Sequence, residues 1–217
     1  MDKVKVSASI LSCDFLHLND EIKKIENSKA DSIHLDIMDG HFVKNFSFGQ
    51  KIVSLIRKST KLFLDTHLMI YNPFDYIEEF VASGSNRITF HLEATEDIED
   101  TIKFIKTCGI QAGISINPET SFLLIEKYLF ICDKVLFMSV HPGFGGQKFL
   151  SKVLDKVKLA KNIKDKNKLN IDIAIDGGID NITSKLAKDA GANLLISGNY
   201  LFSSKDMKEA VSSLRAT

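Results

Sequence analysis

Two short stretches of the chain set an imidazole and a carboxylate two residues apart. In Ile33-His34-Leu35-Asp36-Ile37 the polar pair alternates with apolar residues, and Leu64-Asp65-Thr66-His67-Leu68-Met69 repeats the device with Asp65, His67 and Met69. Successive side chains of an extended chain point to opposite sides, so His34 and Asp36 share one face and Ile33, Leu35 and Ile37 the other. A third run ends in Ile175-Asp176-Gly177-Gly178. Charged and imidazole groups facing a protein interior are costly unless they are paired or bind a metal. His34, Asp36, His67 and Asp176 form a mixed nitrogen and oxygen donor set suited to a divalent ion. A lone strand histidine is commonly a satisfied structural residue. Two on neighbouring strands, with one aspartate at i+2 and another facing them, argue for one divalent ion per subunit: Zn, Fe, Mn or Co, among which the donors do not select.

A second chemistry is carried by glycine. Pro142-Gly143-Phe144-Gly145-Gly146-Gln147, Gly177-Gly178 and Ser197-Gly198-Asn199 follow three successive strand-like runs late in the chain. Glycine frees backbone amides to converge on an anion, and helix N-termini behind such loops add a favourable dipole. Each pair alone reads as a turn. Three in consecutive late loops point to a phosphate cup. The chain has 28 basic residues, of which only Arg57, Arg87 and Arg215 are arginine, so the donors to an anion are expected to be amides or a lysine.

These residues need a scaffold that gathers strand ends. Strand-like runs fall at Val4–Ser9, Ser32–Ile37, Leu62–Leu68, Arg87–His91, Gln111–Ile116, Lys134–Val140, Ile171–Ile175 and Asn193–Ser197. Between them lie helical stripes: Leu18/Ile22/Ile25, Phe74/Ile77/Val81, Ile98/Ile102/Ile105, Val153/Val157/Ala160, Ile182/Leu186 and Met207/Val211/Leu214. Less regular ones are Ile52/Leu55/Ile56 and Leu123/Leu124 with Tyr128. Alternation of this kind predicts parallel strands with crossover helices. Eight units and no GxGxxG after the first strand favour a closed (β/α)8 TIM barrel over an open sheet. No linker divides the chain, so residues 1–217 read as one barrel domain. The lysine-rich stretch Lys148 to Lys168 reads as a solvated helix face.

Composition narrows the partners. With 28 basic and 28 acidic residues the net charge is zero, which leaves no electrostatic footprint for nucleic acid. No apolar run approaches the ~18 residues that span a bilayer. Cys13, Cys108 and Cys132 are scattered and odd in number, as expected of buried thiols in a reducing compartment rather than a disulfide framework. The start, MDKVKVSASILSC, is too short and serine-broken for a signal peptide. The expectation is a cytoplasmic protein that meets neither nucleic acid nor membrane.

With these motifs in hand, the chain resembles the ribulose-phosphate 3-epimerase family over its whole length. The matching strings are Ser9-Ile10-Leu11-Ser12-Cys13-Asp14-Phe15, Ile33-His34-Leu35-Asp36-Ile37-Met38-Asp39-Gly40-His41-Phe42-Val43, Leu64-Asp65-Thr66-His67-Leu68-Met69 and Asn117-Pro118-Glu119-Thr120. Met138-Ser139-Val140-His141-Pro142-Gly143-Phe144-Gly145-Gly146-Gln147 and Asp176-Gly177-Gly178-Ile179 complete them. Against the family pattern, Ala8 and Lys44 stand where proline is usual, His141 where asparagine is frequent, and Asn199 where serine is usual.

The resemblance implies a ribulose-phosphate-binding barrel that interconverts D-ribulose 5-phosphate and D-xylulose 5-phosphate at C3, in the pentose phosphate pathway. It implies that His34, Asp36, His67 and Asp176 hold the metal and that Asp36 and Asp176 are the acid/base pair acting across an enediolate. It implies substrate contacts from Ser9, His67, Gly143, Phe144, Gly145, Gly146, Gly177, Gly178, Gly198 and Asn199, a reaction face lined by Met38, Met69 and Met138, and a homo-oligomer. Two other activities fit the same residues: 3-epimerisation of a six-carbon ketose phosphate such as D-allulose 6-phosphate, and metal-dependent hydrolysis on a barrel. The late glycines favour a phosphosugar, and Gly145-Gly146 with Asp176-Gly177-Gly178-Ile179 favour the pentose.

Overall fold

All eight β-branched runs form strands: β1 (Lys5–Ser9), β2 (Ser32–Met38), β3 (Phe63–Met69), β4 (Arg87–His91), β5 (Gln111–Ile116), β6 (Lys134–Met138), β7 (Asp172–Asp176) and β8 (Leu194–Ser197). They pair in parallel in chain order, and β1 closes on β8 through Lys5–Leu194 to Ala8–Ser197, so the sheet is a barrel without edges. The computed structural model describes residues 3–216; Met1, Asp2 and Thr217, at the ends of the expected domain, lie outside the described residues. The alternation is thus that of a (β/α)8 TIM barrel.

Helices α1 (Leu18–Ser28), α2 (Gln50–Ser59), α3 (Ile77–Ala82), α4 (Ile98–Thr107), α5 (Phe122–Ile125), α6 (Leu154–Asn167), α7 (Thr183–Ala190), α8 (Asn199–Phe202) and α9 (Met207–Arg215) wrap the outside. The outward residues of each strand, such as Ile33, Leu35 and Ile37 of β2, join Ile22, Ile25, Ile102, Ile105, Val157 and Leu214 in one apolar shell. Two expected stripes face the other way. At α7 Ile182, just before the helix, and Leu186 are exposed while Ser184, Ala187 and Ala190 are buried; on α5 Leu123 and Leu124 are exposed while Phe122 and Ile125 are buried, and only Tyr128 of that stripe lies inward as expected. α7, pressed close to the barrel, takes small residues at the contact, whereas α5 is a single turn whose inner face, Phe122 and Ile125, lies on either side of the expected pair. On the lysine-rich stretch Val153, Val157 and Ala160 turn inward; most of its lysines are exposed or half-buried, and Lys164 is buried.

The interior of the barrel is divided. Leu136, Met138, Val140, Ala174, Leu194 and Ile196, from β6 to β8 and the residues just beyond, form an inner apolar cluster. The half built by β1 to β5 is polar: Ser7, Ser9, His34, Asp36, Asp65, His67, Arg87, Thr89, His91 and Ser115 are all buried. Contacts that cross the barrel, Lys134 Nζ of β6 to Asp65 of β3 and Arg87 of β4 to Asp172 of β7, fix these side chains as inward.

Candidate active site

Parallel register sets the ends of β2 and β3 level: His34 pairs with Asp65, Asp36 with His67 and Met38 with Met69. The inward residues therefore form rungs. On the upper rung Asp36 is the hub. Its Oδ2 accepts from Ser9 Oγ at 2.6 Å, and its Oδ1 lies 3.2 Å from His67 Nδ1 and 3.4 Å from His34 Nε2. Asp176, arriving from β7 on the far side, brings Oδ2 to 3.8 Å from His34 Nε2. One donor atom from each of His34, Asp36, His67 and Asp176 lies within 4.8 Å of every other.

These four residues fit a divalent ion. A tetrahedral site with zinc–ligand bonds near 2.0–2.1 Å has donor–donor edges of about 3.3 Å, and the contacts of 3.2, 3.4 and 3.8 Å are of that size. His34 Nε2 is buried, has no hydrogen-bond partner and faces the carboxylates of Asp36 and Asp176. Its other nitrogen, Nδ1, meets Asp65 Oδ2 at 3.3 Å, the outer carboxylate that orients a ligating histidine.

Electrostatics separate the two aspartates. Burial works against the charge on Asp36, but His34 foremost, with His67 beside it, outweighs it and holds the carboxyl far below the usual range. For Asp176 the balance is reversed: burial, followed by repulsion from Asp36, outweighs the pull of His34 and Lys134 and pushes it up to about 7. Burial pulls His34 down, yet Asp36 and Asp65 together lift it to about 9. His67 is carried down to about 3, chiefly by burial, with Asp36 opposing.

A cavity of about 450 Å³ opens above this cluster. Asp36, Asp176, Met38, Met69 and Met138 line its floor, with Ser9 at one side. Gly143, Phe144, Gly145, Gly146, Gly177, Gly178, Gly198 and Asn199 form the wall, so the three late loops do converge. His34 and His67 do not line it. Both are fully buried and meet the cavity through Asp36, and both ring nitrogens of His67 are already engaged, by Asp36 and by His91. His141 turns away, exposed, with Nδ1 3.5 Å from Glu119, so its departure from the family pattern falls outside the cavity.

Several cavity residues escaped the sequence reading. Lys148, read there as part of a solvated face, stands at the cavity, as do Ser12, Asp180, Thr183 and Ser203. Asp180 Oδ1 accepts from the amides of Ile182 and Thr183, so the start of α7 is capped internally rather than offered to an anion. α8 is a short extra helix whose Gly198, Asn199, Tyr200 and Ser203 border the cavity, the position from which this fold commonly holds phosphate. The signal for α8 was only Gly198 before Asn-Tyr-Leu-Phe. Arg87 and Lys134 were missed as interior charges, although each stands four residues before His91 or Met138, an even spacing that sets them on the same face.

Gly178 is where the cup requires glycine. Its φ is +64°, and a Cβ there would stand 2.7 Å from the amide nitrogen of Phe149. The obstacle is backbone, so it cannot swing aside. Gly178→Ala is expected to cost about 1–3 kcal/mol in urea unfolding and to push the Gly143–Gln147 loop outward.

The family model described as "Ribulose-phosphate 3 epimerase family" matches residues 5–202. The chain is 45% identical over 215 residues to a ribulose-phosphate 3-epimerase of Bacillus subtilis, covering 99% of each. It is 46% identical over 207 residues to one of Chlamydia pneumoniae, covering 93% of this chain and 89% of that protein. Among solved structures, KGPDC from Streptococcus mutans superposes with a TM-score of 0.74 at 13% identity, covering 98% of this chain and 95% of that one. A 3-hexulose-6-phosphate synthase does so at 0.69 and 15%, covering 98% of both chains. At such identities these two speak for the barrel alone. The epimerase relatives share nearly the full length, and the chain belongs to the ribulose-phosphate 3-epimerase family.

Proposed function

We propose that this enzyme interconverts D-ribulose 5-phosphate and D-xylulose 5-phosphate by moving a proton at C3, with Asp36 and Asp176 as the two acid/base groups. The observation that carries the reading is the meeting of two carboxylates from distant strands, β2 and β7, at one cavity floor below a glycine wall. The proton on C3 is acidic because a ketone stands at C2. One aspartate takes it; the C–H electron pair becomes the C2–C3 double bond of a planar enediolate, and charge moves to the C2 oxygen. The other aspartate delivers a proton to the opposite face, which inverts C3 with no net change of oxidation state. A divalent ion held by His34, Asp36, His67 and Asp176 would supply Lewis-acid polarisation of the C2 carbonyl and C3 hydroxyl. Ser9 holds the second oxygen of Asp36 and so aims the first. Met38, Met69 and Met138 keep water from the carbanionic face with soft, apolar groups. The amides around Gly145, Gly178 and Gly198, with Lys148, hold the phosphate and so fix where C3 lies.

The epimerase names carried by the full-length relatives support this substrate over a six-carbon ketose phosphate. The chain works as one barrel domain, and in the same proposal as a homo-oligomer of the cytoplasm, on the strength of the resemblance. Among the described residues no helix is long and apolar enough to cross a membrane. Turnover of ribulose 5-phosphate in deuterium oxide should yield xylulose 5-phosphate with deuterium at C3, and a chelator should abolish turnover until metal is restored. Product without deuterium would overturn the proton-transfer route, and hydrolytic release of phosphate would favour the hydrolase.

A further inference from the structure

Beyond the four donors lies a chain of groups that the mechanism above does not use. His67 Nε2 sits 2.9 Å from His91 Nε2. The two rings are 5.0 Å apart centre to centre and tilted by only 23°, so with that nitrogen separation they meet edge to edge, in nearly one plane, as an N–H···N bond requires. His91 Nδ1 lies 3.3 Å from Glu93 Oε2. Glu93 is itself held: its Oε1 accepts from the amide of Asn117 at 2.8 Å and from the hydroxyl of Thr120, both on the loop after β5. His67 and His91 are fully buried, and the Phe42 ring packs against His91 at 4.8 Å, shutting out water.

The direction of every proton in this chain follows from its outer end. Glu93 is an acceptor, with its Oε1 already taken by two donors, so Oε2 is open to the N–H of His91 Nδ1. A neutral His91 then presents a lone pair at Nε2, which can only accept from His67 Nε2–H. The remaining nitrogen of His67, Nδ1, is left as a lone pair 3.2 Å from Asp36 Oδ1. Two lone pairs facing one another repel, and a cation between them removes the conflict.

We propose that His91 and Glu93 are positioning residues: they lock His67 in the tautomer that turns Nδ1 toward the metal. The relay rests on the metal reading of the site. It makes His67 a counterpart of His34, whose orienting carboxylate is Asp65, except that here the carboxylate acts through a second imidazole. Groups placed in this way typically contribute 10–100-fold to metal affinity.

The test uses the zinc-loaded full chain, with zinc as the probe. Long-range proton–nitrogen NMR of the wild type should find His67 protonated at Nε2 and His91 at Nδ1. Competition with a chromophoric chelator should find zinc bound 10–100-fold more weakly by His91→Phe, which has no acceptor. His91→Gln, whose amide oxygen can accept from His67, should recover most of that loss, a rescue that a merely packing role would not give. Glu93→Ala should leave His91 in mixed tautomers and weaken zinc to a smaller extent. A wild-type His67 protonated at Nδ1, a His91 protonated at both nitrogens, or folded His91→Phe and Glu93→Ala proteins that hold zinc within about twofold of wild type would overturn the relay while leaving the metal site standing. A wild-type chain that takes up no zinc would overturn both.

Discussion

Asp36→Asn and Asp176→Asn should each lower turnover of ribulose 5-phosphate by about 10³-fold or more, since acid–base assistance alone is typically worth 10²–10⁴-fold. Asparagine keeps the shape and one donor oxygen of aspartate, so the loss falls on proton transfer more than on fold. The sharper result concerns exchange. In the proposed mechanism each carboxylate serves one face of C3: Asp36 approaches from β2, beside Ser9 and His67, and Asp176 from β7 on the far side of the floor. A variant lacking one of them should still exchange the C3 proton of the epimer that the remaining carboxylate can reach, while failing to invert it. The two variants should therefore lose deuterium exchange with opposite epimers. Near wild-type turnover in either variant, or loss of exchange with the same epimer in both, would refute the two-base assignment.

The inward face of β2 and β3 was legible in the sequence because strands have a two-residue period. His34 with Asp36, and Asp65 with His67, declare a shared face by spacing alone, and parallel register then sets Asp36 beside His67. The eight strands were legible for the same reason: their outward residues must be apolar against the helices, and the observed bounds lie within two residues of the runs read from sequence. The helices were less legible where the barrel presses close. On α7 the inner face is Ser184, Ala187 and Ala190, which no hydrophobic stripe announces. α8 is four residues long, too short for a period. The glycine wall of the cavity was legible, but Lys148 at its edge was not, because a lysine in a lysine-rich stretch carries no mark of which way it points.

The interior charges below the metal site were the least legible and carry the largest expected effect on stability. Asp65 is fully buried and takes Arg87 Nε at 2.9 Å, Arg87 Nη2 at 3.1 Å, both contacts of Lys134 Nζ at 3.0 and 2.8 Å, and His34 at 3.3 Å. Arg87 also reaches Asp172, which Lys5 holds from outside. Asp65→Asn removes the one anion common to Arg87 and Lys134, leaving two buried cations facing each other. The expected cost is about 3–5 kcal/mol, measured by urea unfolding in chelator so that loss of metal does not add to it. Lys134→Met should cost far less, within about 1 kcal/mol, because Arg87 still forks onto Asp65 and a costly buried ammonium is gone. The pH dependence separates the partners. Burial acts first on Asp65, but Arg87 and Lys134 overcome it and hold its carboxyl well below the usual range. Its contribution is therefore complete above the ordinary carboxylate pKa and is lost as pH falls through the depressed folded value. Lys134 runs the other way: burial, only partly offset by Asp65, lowers it from 10.5 to about 8. Between those values the unfolded chain binds the extra proton, so wild-type stability should rise with pH from about 8 to 10.5 on this account, and Lys134→Met should abolish that rise. Equal losses from Asp65→Asn and Lys134→Met would mean that the cluster is held by packing rather than by charge.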